Sequence, residues 1–507
     1  MLVSRRRFAA LTAAGLAGIR ASLAARLRPK LIVLLIAEEF RSDYLDLFGN
    51  FLGAGGLRRL MDDGAFFPQC QNAATTFTST GLATLSTGAY PQLHGIVADA
   101  WYDRATKKNV LAKPESLEAT TFADQLAADS ANRIFAVSLD FQDAAILSGG
   151  AQTNLFHLGG LGRFVARGPA SEAVWLANFS QANAAEMYRH AQWRALYAKK
   201  EAPPLRTLTY DQAHPDDFLV LYRASPFAQA TQMSLAREIL VQEKLGQGLG
   251  TDLLMVALGS GALLGYEVGG DSPLIRELVL RLDRDVEALL ALLDKNLGAR
   301  NYGLVFTSAH GATRDPDGKR ASLAIPGETV ARTINQVLSN HYDLGPRKRV
   351  YVERYLYPFL YLQHDALRRS YIDVREARAL AGQAALTVPG VAGYYTADGD
   401  SSHSGDWARR FRNSFHAVRS GDVMLAYGPD HVEDYGAGRG ISYGSLYNYD
   451  SRVPLILYGT PFESAVFETA VELVDLAPTL ARVVGMPWPS SSTGRVLGEA
   501  LISAAEG

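Results

Sequence analysis

One histidine stands where a buried strand is predicted to end. Residues 304–307 form an apolar run, and Ser308, Ala309, His310 and Gly311 follow it. The chemistry of an open α/β sheet collects at the carboxyl ends of its strands. Imidazole is both a common metal ligand and a common acid–base group. The residues alone leave two interpretations of His310 open: a metal ligand and a hydrogen-bonded core histidine.

A polar loop offers a second set of possible ligands. It contains Asp398, Asp400, His403 and Asp406. Carboxylates and an imidazole could together bind a metal ion, but this spacing matches no known calcium or zinc pattern. A solvated polar loop is the other interpretation.

Composition bounds the class of protein. The chain has 507 residues, 48% of them hydrophobic, and a formal net charge of -2. This is enough apolar material for one large core or two domains. A near-zero charge gives no polyanion-binding signature, so nucleic acid is not expected as a partner. Cys70 is the single cysteine, which excludes an intramolecular disulfide and a cysteine-based zinc site and favours a buried structural thiol.

The N-terminal residues predict export. Residues 4–8 (SRRRF) match a twin-arginine signal, a weakly apolar stretch follows at 9–19, and small residues occupy 21–25. We therefore expect residues 1–25 to be a signal peptide and residues 26–507 to work in the periplasm or outside the cell. A short basic arm on a cytosolic protein is the alternative. No later apolar run reaches the roughly 18 residues that span a bilayer, so no membrane span is expected in the mature chain.

Strand-like and helix-like patterns alternate along the chain. Continuous apolar runs predict buried strands at residues 31–36, 134–137, 253–258, 304–307, 423–426 and 454–458. Helical patterns cover 56–64 and 275–293. This alternation predicts an α/β fold with a mostly parallel central sheet flanked by helices. Two stretches, about 148–227 and 312–419, break the alternation and are predicted to be insertions that cap the sheet.

Several segments in a fixed order carry a resemblance. They are residues 38–44 (EEFRSDY), 76–78 (TFT), 86–96 (STGAYPQLHGI), 101–103 (WYD), 308–311 (SAHG), 447–454 (YNYDSRVP) and 475–480 (DLAPTL). Together they resemble the alkaline phosphatase superfamily, with most similarity to the phosphate-irrepressible alkaline phosphatases and the type I phosphodiesterase/nucleotide pyrophosphatases. The resemblance covers residues from about 29 to 501.

The resemblance implies a centre with two zinc ions and a hydroxyl nucleophile. Two cations suit an in-line displacement because the attacking and leaving oxygens both carry charge. The nucleophile position is Thr78. The ligand positions that keep a donor are Glu38 and His310. The positions whose family ligand is lost are Ala262, Tyr266, Ala309 and Tyr443.

The losses are uneven between the two metals. One metal loses all three protein ligands, at Ala262, Tyr266 and Tyr443. Alanine has no donor atom, and a phenol with a pKa near 10 is a poor zinc ligand at neutral pH. The other metal loses Ala309 and keeps Glu38, Thr78 and His310. At most one zinc or other divalent metal is therefore expected, weakly held, and no cofactor is the simpler expectation.

The positions that contact phosphate in the family are changed as well. The family's phosphate-contacting asparagine corresponds to Asp99, a carboxylate that repels phosphate. The basic pair of the monoesterase branch should lie near residues 138–143, where there is no Lys or Arg. Phosphate binding there is electrostatically unfavourable. Thr78 has a second interpretation, as the N-cap of the helix that follows it.

Three hypotheses for function follow. The first is an exported pseudoenzyme with a binding or regulatory role, whose partner is an unknown small molecule or protein. The second is a single-metal phosphatase or phosphodiesterase-type hydrolase with Thr78 as nucleophile, acting on a phosphodiester, sulfate ester or phosphonate. The third is a metal-free pocket for a small organic anion. Besides Asp99, its walls would include Phe77, Tyr266, Tyr443 and Arg452.

Overall fold

The structure is a computed structural model that describes residues 28–151, 153–199, 201–314, 323–434 and 443–502. The expected signal peptide, residues 1–25, lies outside these ranges.

The strands are numbered in chain order. They are β1 (Leu31–Ala37), β2 (Ala65–Gln71), β3 (Ala100–Asp103), β4 (Lys108–Leu111), β5 (Ile134–Val137), β6 (Asn154–Leu158), β7 (Phe164–Arg167), β8 (Gln192–Trp193), β9 (Arg206–Thr207), β10 (Asp252–Leu258), β11 (Tyr302–Thr307), β12 (Ala324–Pro326), β13 (Val352–Leu356), β14 (Phe359–Leu362), β15 (Val391–Thr396), β16 (Val423–Tyr427), β17 (Val432–Asp434), β18 (Arg452–Gly459), β19 (Ala465–Val466) and β20 (Val471–Glu472).

The α-helices are numbered in the same way. They are α1 (Tyr44–Leu47), α2 (Leu57–Asp63), α3 (Thr78–Thr87), α4 (Pro91–His94), α5 (Phe122–Ala127), α6 (Phe141–Ser148), α7 (Val174–Ala182), α8 (Pro215–Arg223), α9 (Pro226–Gln242), α10 (Ser260–Val268), α11 (Pro273–Leu297), α12 (Gly327–Tyr342), α13 (His364–Arg369), α14 (Val374–Ala385), α15 (Asp406–Ser414), α16 (Asn448–Ser451) and α17 (Leu476–Val484).

A large central sheet organises the molecule. Its strand order is β19-β2-β18-β11-β1-β10-β5-β6-β7, with β20 beside β2. Strands β11, β1, β10, β5 and β6 run parallel to their neighbours in that series, which confirms the α/β fold with a mostly parallel sheet. Strand β18 is antiparallel to both β11 and β2.

Strand β1 is central because both of its faces are apolar. Every residue from Leu31 to Ala37 is buried. Ile32, Leu34 and Ile36 pack into the core on one face of the sheet, and the alternate residues pack into the core on the other. Such a run requires helices on both sides, since neither face can be exposed to water without cost. The end of β1 therefore lies deep between two layers.

A second, four-stranded sheet lies outside the central one. Its order is β13-β14-β16-β15, and each pair is antiparallel. The run at 423–426 does form a strand, β16, but it belongs to this second sheet. The stretch expected as the second insertion, 312–419, supplies β13, β14 and β15 to this sheet. The stretch expected as the first insertion, 148–227, supplies β6 and β7 to the central sheet before its helices begin.

Two helices match their sequence patterns closely. The pattern at 56–64 becomes α2, with Gly56 and Gly64 as its capping residues. The amphipathic pattern at 275–293 becomes α11, which Ser272 caps through a side-chain bond to the backbone of Leu274. In the part of the chain that the structure describes, no helix has both the length and the apolar character needed to cross a bilayer.

Candidate functional site

A cleft of about 340 Å³ lies at the carboxyl ends of the central strands. Glu38 enters it directly after β1, and Ala262 lies on α10 just after β10. Thr78, at the start of α3, lines the same cleft, and so does Asp143 of α6. This is the place where a parallel sheet brings residues that are distant in sequence together.

Thr78 is the first residue of α3 and not its cap. Phe77 occupies the N-cap position and makes no side-chain capping bond. The Thr78 hydroxyl instead lies 2.9 Å from Nε2 of His310. The capping interpretation is therefore wrong: a β-branched hydroxyl at the first helical position points toward the loop that follows β11.

His310 is fixed as one tautomer by its two partners. It is fully buried, and Nδ1 lies 2.7 Å from the carbonyl oxygen of Gly311. A carbonyl can only accept, so Nδ1 carries the proton and Nε2 accepts from the Thr78 hydroxyl. Burial lowers the pKa of His310 to about 4, so the ring is neutral at neutral pH.

Glu38 carries a carboxylate oxygen without a partner. The residue is 4% exposed, and its Oε1 has no hydrogen-bond partner among the described residues. Burial, with a further contribution from the charge of Asp143, raises the pKa of Glu38 well above its usual value. Gly259 and Gly261 pack close to this residue: a Cβ at Gly261 would lie 2.5 Å from the Glu38 carbonyl oxygen.

Three further carboxyl groups line the cleft. Asp99 accepts a 2.8 Å hydrogen bond from the backbone N–H of Ser79 and another from the Tyr443 side chain. Asp140 caps α6 through a 2.8 Å bond from the N–H of Gln142. Desolvation, together with the charges of Asp140 and Asp99, raises the pKa of Asp143 to about 8.

The four positions that lose a family ligand are filled in different ways. Ala262 and Tyr266 line the cleft from α10. Ala309 is fully buried, and its carbonyl oxygen accepts from the side chain of Asn72. The Tyr443 ring lies against the His310 ring, with centroids 4.2 Å apart. The apolar and aromatic replacements thus pack where the resemblance places donor atoms.

Two residues expected in the pocket lie elsewhere. Phe77 packs edge-on against Tyr443, with ring centroids 5.9 Å apart, and does not line the cleft. Arg452 begins β18, pairs with Gln71 of β2, and is not a lining residue either. The structure brings together Glu38, Thr78, Asp99, Ala262, Tyr266 and Tyr443, with His310 directly behind Thr78.

Arg223, a cation in the cleft wall, was not predicted from the sequence. It ends α8, and its guanidinium lies 3.8 Å from the Asp140 carboxylate and 3.4 Å from the Leu139 carbonyl oxygen. No short-range pattern connects residue 223 to residue 140. The sequence shows two aspartates close together, Asp140 and Asp143. It does not show the burial that raises the pKa of Asp143.

The polar loop has other partners. Asp398 pairs with Arg378 at 3.1 Å, His403 bonds to the hydroxyl of Ser402, and Asp406 pairs with Arg409 at 2.8 Å. Across residues 28–502, apart from the stretches left undescribed, no three His, Cys, Asp or Glu side chains converge where they could hold a metal ion.

Comparison with known proteins gives the family. The family model for type I phosphodiesterase / nucleotide pyrophosphatase matches residues 32–379, more than half of the chain. The chain belongs to this family. A calcium-transporting ATPase from Myroides odoratus is 23% identical over 526 residues, which cover 94% of this chain and 95% of that protein. The alkaline phosphatase PhoV from Synechococcus elongatus is 24% identical over 532 residues, 94% of this chain and 93% of its own length.

A solved structure supports the same fold. The crystal structure of alkaline phosphatase PafA superposes with a TM-score of 0.81 at 22% identity, covering 94% of this chain and 99% of that one. The family resemblance implies two zinc ions, but the donor set does not fit them. Alanine at 262 and 309 offers no side-chain donor atom, and the Tyr443 ring packs on His310.

Proposed function

We propose that this chain is a pseudoenzyme of the family, in which the two-metal phosphoryl-transfer centre is dismantled and the cleft serves binding or regulation. The chemistry of the ligand positions carries the proposal. Alanine at 262 and 309 offers no side-chain donor atom, and phenol rings stand at 266 and 443, where the resemblance implies imidazoles. The Tyr443 ring packs on the His310 ring, with centroids 4.2 Å apart.

The charge of the cleft supports the same conclusion. Glu38, Asp99, Asp140 and Asp143 line it, against the single guanidinium of Arg223. A phosphate ester is an anion, and this wall offers it one cation, fewer than the two metals and the basic pair that the resemblance implies. Arg452, the cation considered from the sequence for an organic anion, lies outside the cleft.

Metal content and turnover test the proposal together. Protein purified without chelator and then incubated with excess zinc should retain substoichiometric metal by elemental analysis. It should not turn over p-nitrophenyl phosphate or bis(p-nitrophenyl) phosphate. Turnover that Thr78→Ala abolishes would contradict the proposal, because it would show a working nucleophile.

A restored variant provides the matched positive control. Ala262→Asp, Tyr266→His, Ala309→Asp and Tyr443→His together return the carboxylate and imidazole donors that the resemblance implies. We expect this variant to gain zinc while the parent chain does not. Gain of metal in both would show that the native donor set suffices.

One observation favours a second candidate, a hydrolase with a single metal. Thr78 and His310 lie 2.9 Å apart, and Glu38 faces the same cleft with an unpartnered oxygen, so three donors lie in one region. If they share a metal, zinc or manganese should raise the melting temperature by mass action. His310→Ala should then remove that shift, whereas no shift at millimolar metal would exclude this candidate.

We also propose that the chain is exported by the twin-arginine route. The support is the SRRRF sequence at residues 4–8. Fusing residues 1–30 to a reporter that matures before export should direct it to the periplasm. Arg5→Lys with Arg6→Lys should retain it in the cytoplasm, whereas Lys30→Arg serves as the control; export of the double variant would contradict the route.

A further inference from the structure

The ion pair in the cleft wall is loose. Nη2 of Arg223 lies 3.8 Å from Oδ2 of Asp140, which is too far for a hydrogen bond between the two groups. Within the described residues, the guanidinium donates one hydrogen bond, 3.4 Å long, to the carbonyl oxygen of Leu139. Most of its N–H groups therefore have no acceptor in the described part of the protein.

Asp140 also keeps bonding capacity. Its Oδ1 accepts from the backbone N–H of Gln142 at the start of α6, whereas Oδ2 faces Arg223 across the gap. The side chains of Arg223 and Asp140 are 34% and 51% exposed, and both line the cleft, so a ligand there can reach both. An ion pair with this exposure contributes little to stability, so inserting ligand groups between the two side chains costs little.

The opposite charges of this pair define the kind of ligand that fits. A carboxylate alone would bind Arg223 but would lie close to the carboxylate of Asp140, and an ammonium alone would bind Asp140 but lie close to Arg223. A ligand that carries both charges on neighbouring atoms matches both side chains and has zero net charge. An α-amino acid has this arrangement, because its carboxylate and its ammonium are attached to one carbon atom.

Two exposed leucines lie in the same lining. Leu111, at the end of β4, is 67% exposed, and Leu263, on α10, is 40% exposed. A hydrocarbon group that covers them removes apolar surface from water, which favours binding. The cleft volume of about 340 Å³ is at the small end of ligand pockets and suits a molecule of this size.

We infer that the cleft binds a free α-amino acid with an apolar side chain, whose carboxylate accepts from Arg223 and whose ammonium donates to Asp140. Its hydrocarbon part lies against Leu111 and Leu263. This inference rests on the proposed function, since it names the ligand class of a cleft that no longer transfers phosphate. The contacts lie outside the positions at which the resemblance places metal ligands.

Isothermal titration calorimetry of the purified protein with L-leucine tests the inference. Leucine amide lacks the carboxylate, N-acetyl-leucine lacks the ammonium, and glycine lacks the hydrocarbon part. We expect each of the three to bind roughly tenfold or more weakly than leucine, because each loses charge-assisted hydrogen bonds or apolar contact.

Two variants assign each charge of the ligand to its partner. Arg223→Gln should no longer prefer leucine to leucine amide, and Asp140→Asn should no longer prefer leucine to N-acetyl-leucine. A purely structural role would weaken all ligands alike and leave these preferences unchanged. Asparagine can still cap α6, so Asp140→Asn remains informative even if Arg223→Gln does not fold, which circular dichroism checks.

Arg163→Gln is the matched control. Arg163 is also a partly exposed arginine in an ion pair, 3.0 Å from Glu186, but it does not line the cleft. Its removal should leave both the affinity for leucine and the preferences among the analogues unchanged.

The outcomes separate this inference from the proposed function. Absence of leucine binding at millimolar concentration, or equally tight binding of any of the three analogues, would overturn the amino-acid site and leave the pseudoenzyme proposal intact. Tightly bound zinc with phosphatase turnover would overturn the pseudoenzyme proposal itself. Leucine binding whose preferences change in the two variants, in protein without metal, supports both.

Discussion

The hydroxyl of Thr78 donates to Nε2 of His310 across 2.9 Å, joining the start of α3 to the loop after β11. The Gly311 carbonyl holds the opposite nitrogen. In sequence the two residues are 232 positions apart. A threonine that the resemblance marks as a nucleophile is here a hydrogen-bond donor that satisfies a buried imidazole.

Thr78→Val removes this donor while keeping the shape of the side chain. Nε2 of His310 would then be a buried acceptor without a partner, and we expect the free energy of unfolding to fall by about 1–3 kcal/mol. Urea denaturation measures the change. Thr78→Ser retains the hydroxyl and should lose much less stability; a Thr78→Val variant as stable as Thr78→Ser would contradict the stabilising role of the hydrogen bond.

Gly81→Ala tests the contact between the same two elements. A Cβ at Gly81 would lie 2.2 Å from the carbonyl oxygen of Ala309, so α3 and the loop would have to separate. Overpacking of this kind costs about 1–3 kcal/mol. Gly160→Ala is the matched control because its Cβ would meet nothing within 4 Å. Comparable melting temperatures for the two variants would contradict the close approach.

Local signals explain how much of the fold the sequence predicted. The uninterrupted apolar run of β1 requires burial on both faces, and the glycines at 56 and 64 mark the ends of α2. These features depend on residues that are close in sequence, so they can be predicted without the three-dimensional structure. The position of β16 did not follow, because an apolar run of four residues does not specify which sheet will pair with it.

The candidate site was predicted in its residue types more than in its contacts. Ordered motifs placed Glu38, Thr78 and His310 near one another through resemblance. The pairing of Arg223 with Asp140 and the packing of Tyr443 on His310 join residues far apart in the chain. No periodicity encodes such long-range contacts, so they required the three-dimensional structure.

Asp143 should make stability depend on pH. Its pKa is raised from 3.8 to about 8 in the folded chain. The unfolded chain therefore releases this proton near pH 4 while the folded chain still holds it, and the group's contribution to stability falls as pH rises from about 4 to 8. Asp143→Asn removes that dependence. Its melting temperature relative to the parent should rise across this window; a constant difference from pH 4 to 9 would contradict the raised pKa.

Glu38→Gln should stabilise the protein. The carboxylate is 4% exposed and Oε1 has no partner among the described residues, so ionising it in the fold is unfavourable. Replacing it with a neutral amide of nearly the same shape should raise the free energy of unfolding by about 1–3 kcal/mol at pH 8. The gain should shrink at pH 4, where the unfolded chain also protonates Glu38. Asp46→Asn replaces an exposed carboxylate on α1 and should show no such gain. Denaturant unfolding at both pH values measures the difference, and destabilisation by Glu38→Gln at pH 8 would show that the carboxylate is satisfied in the folded protein.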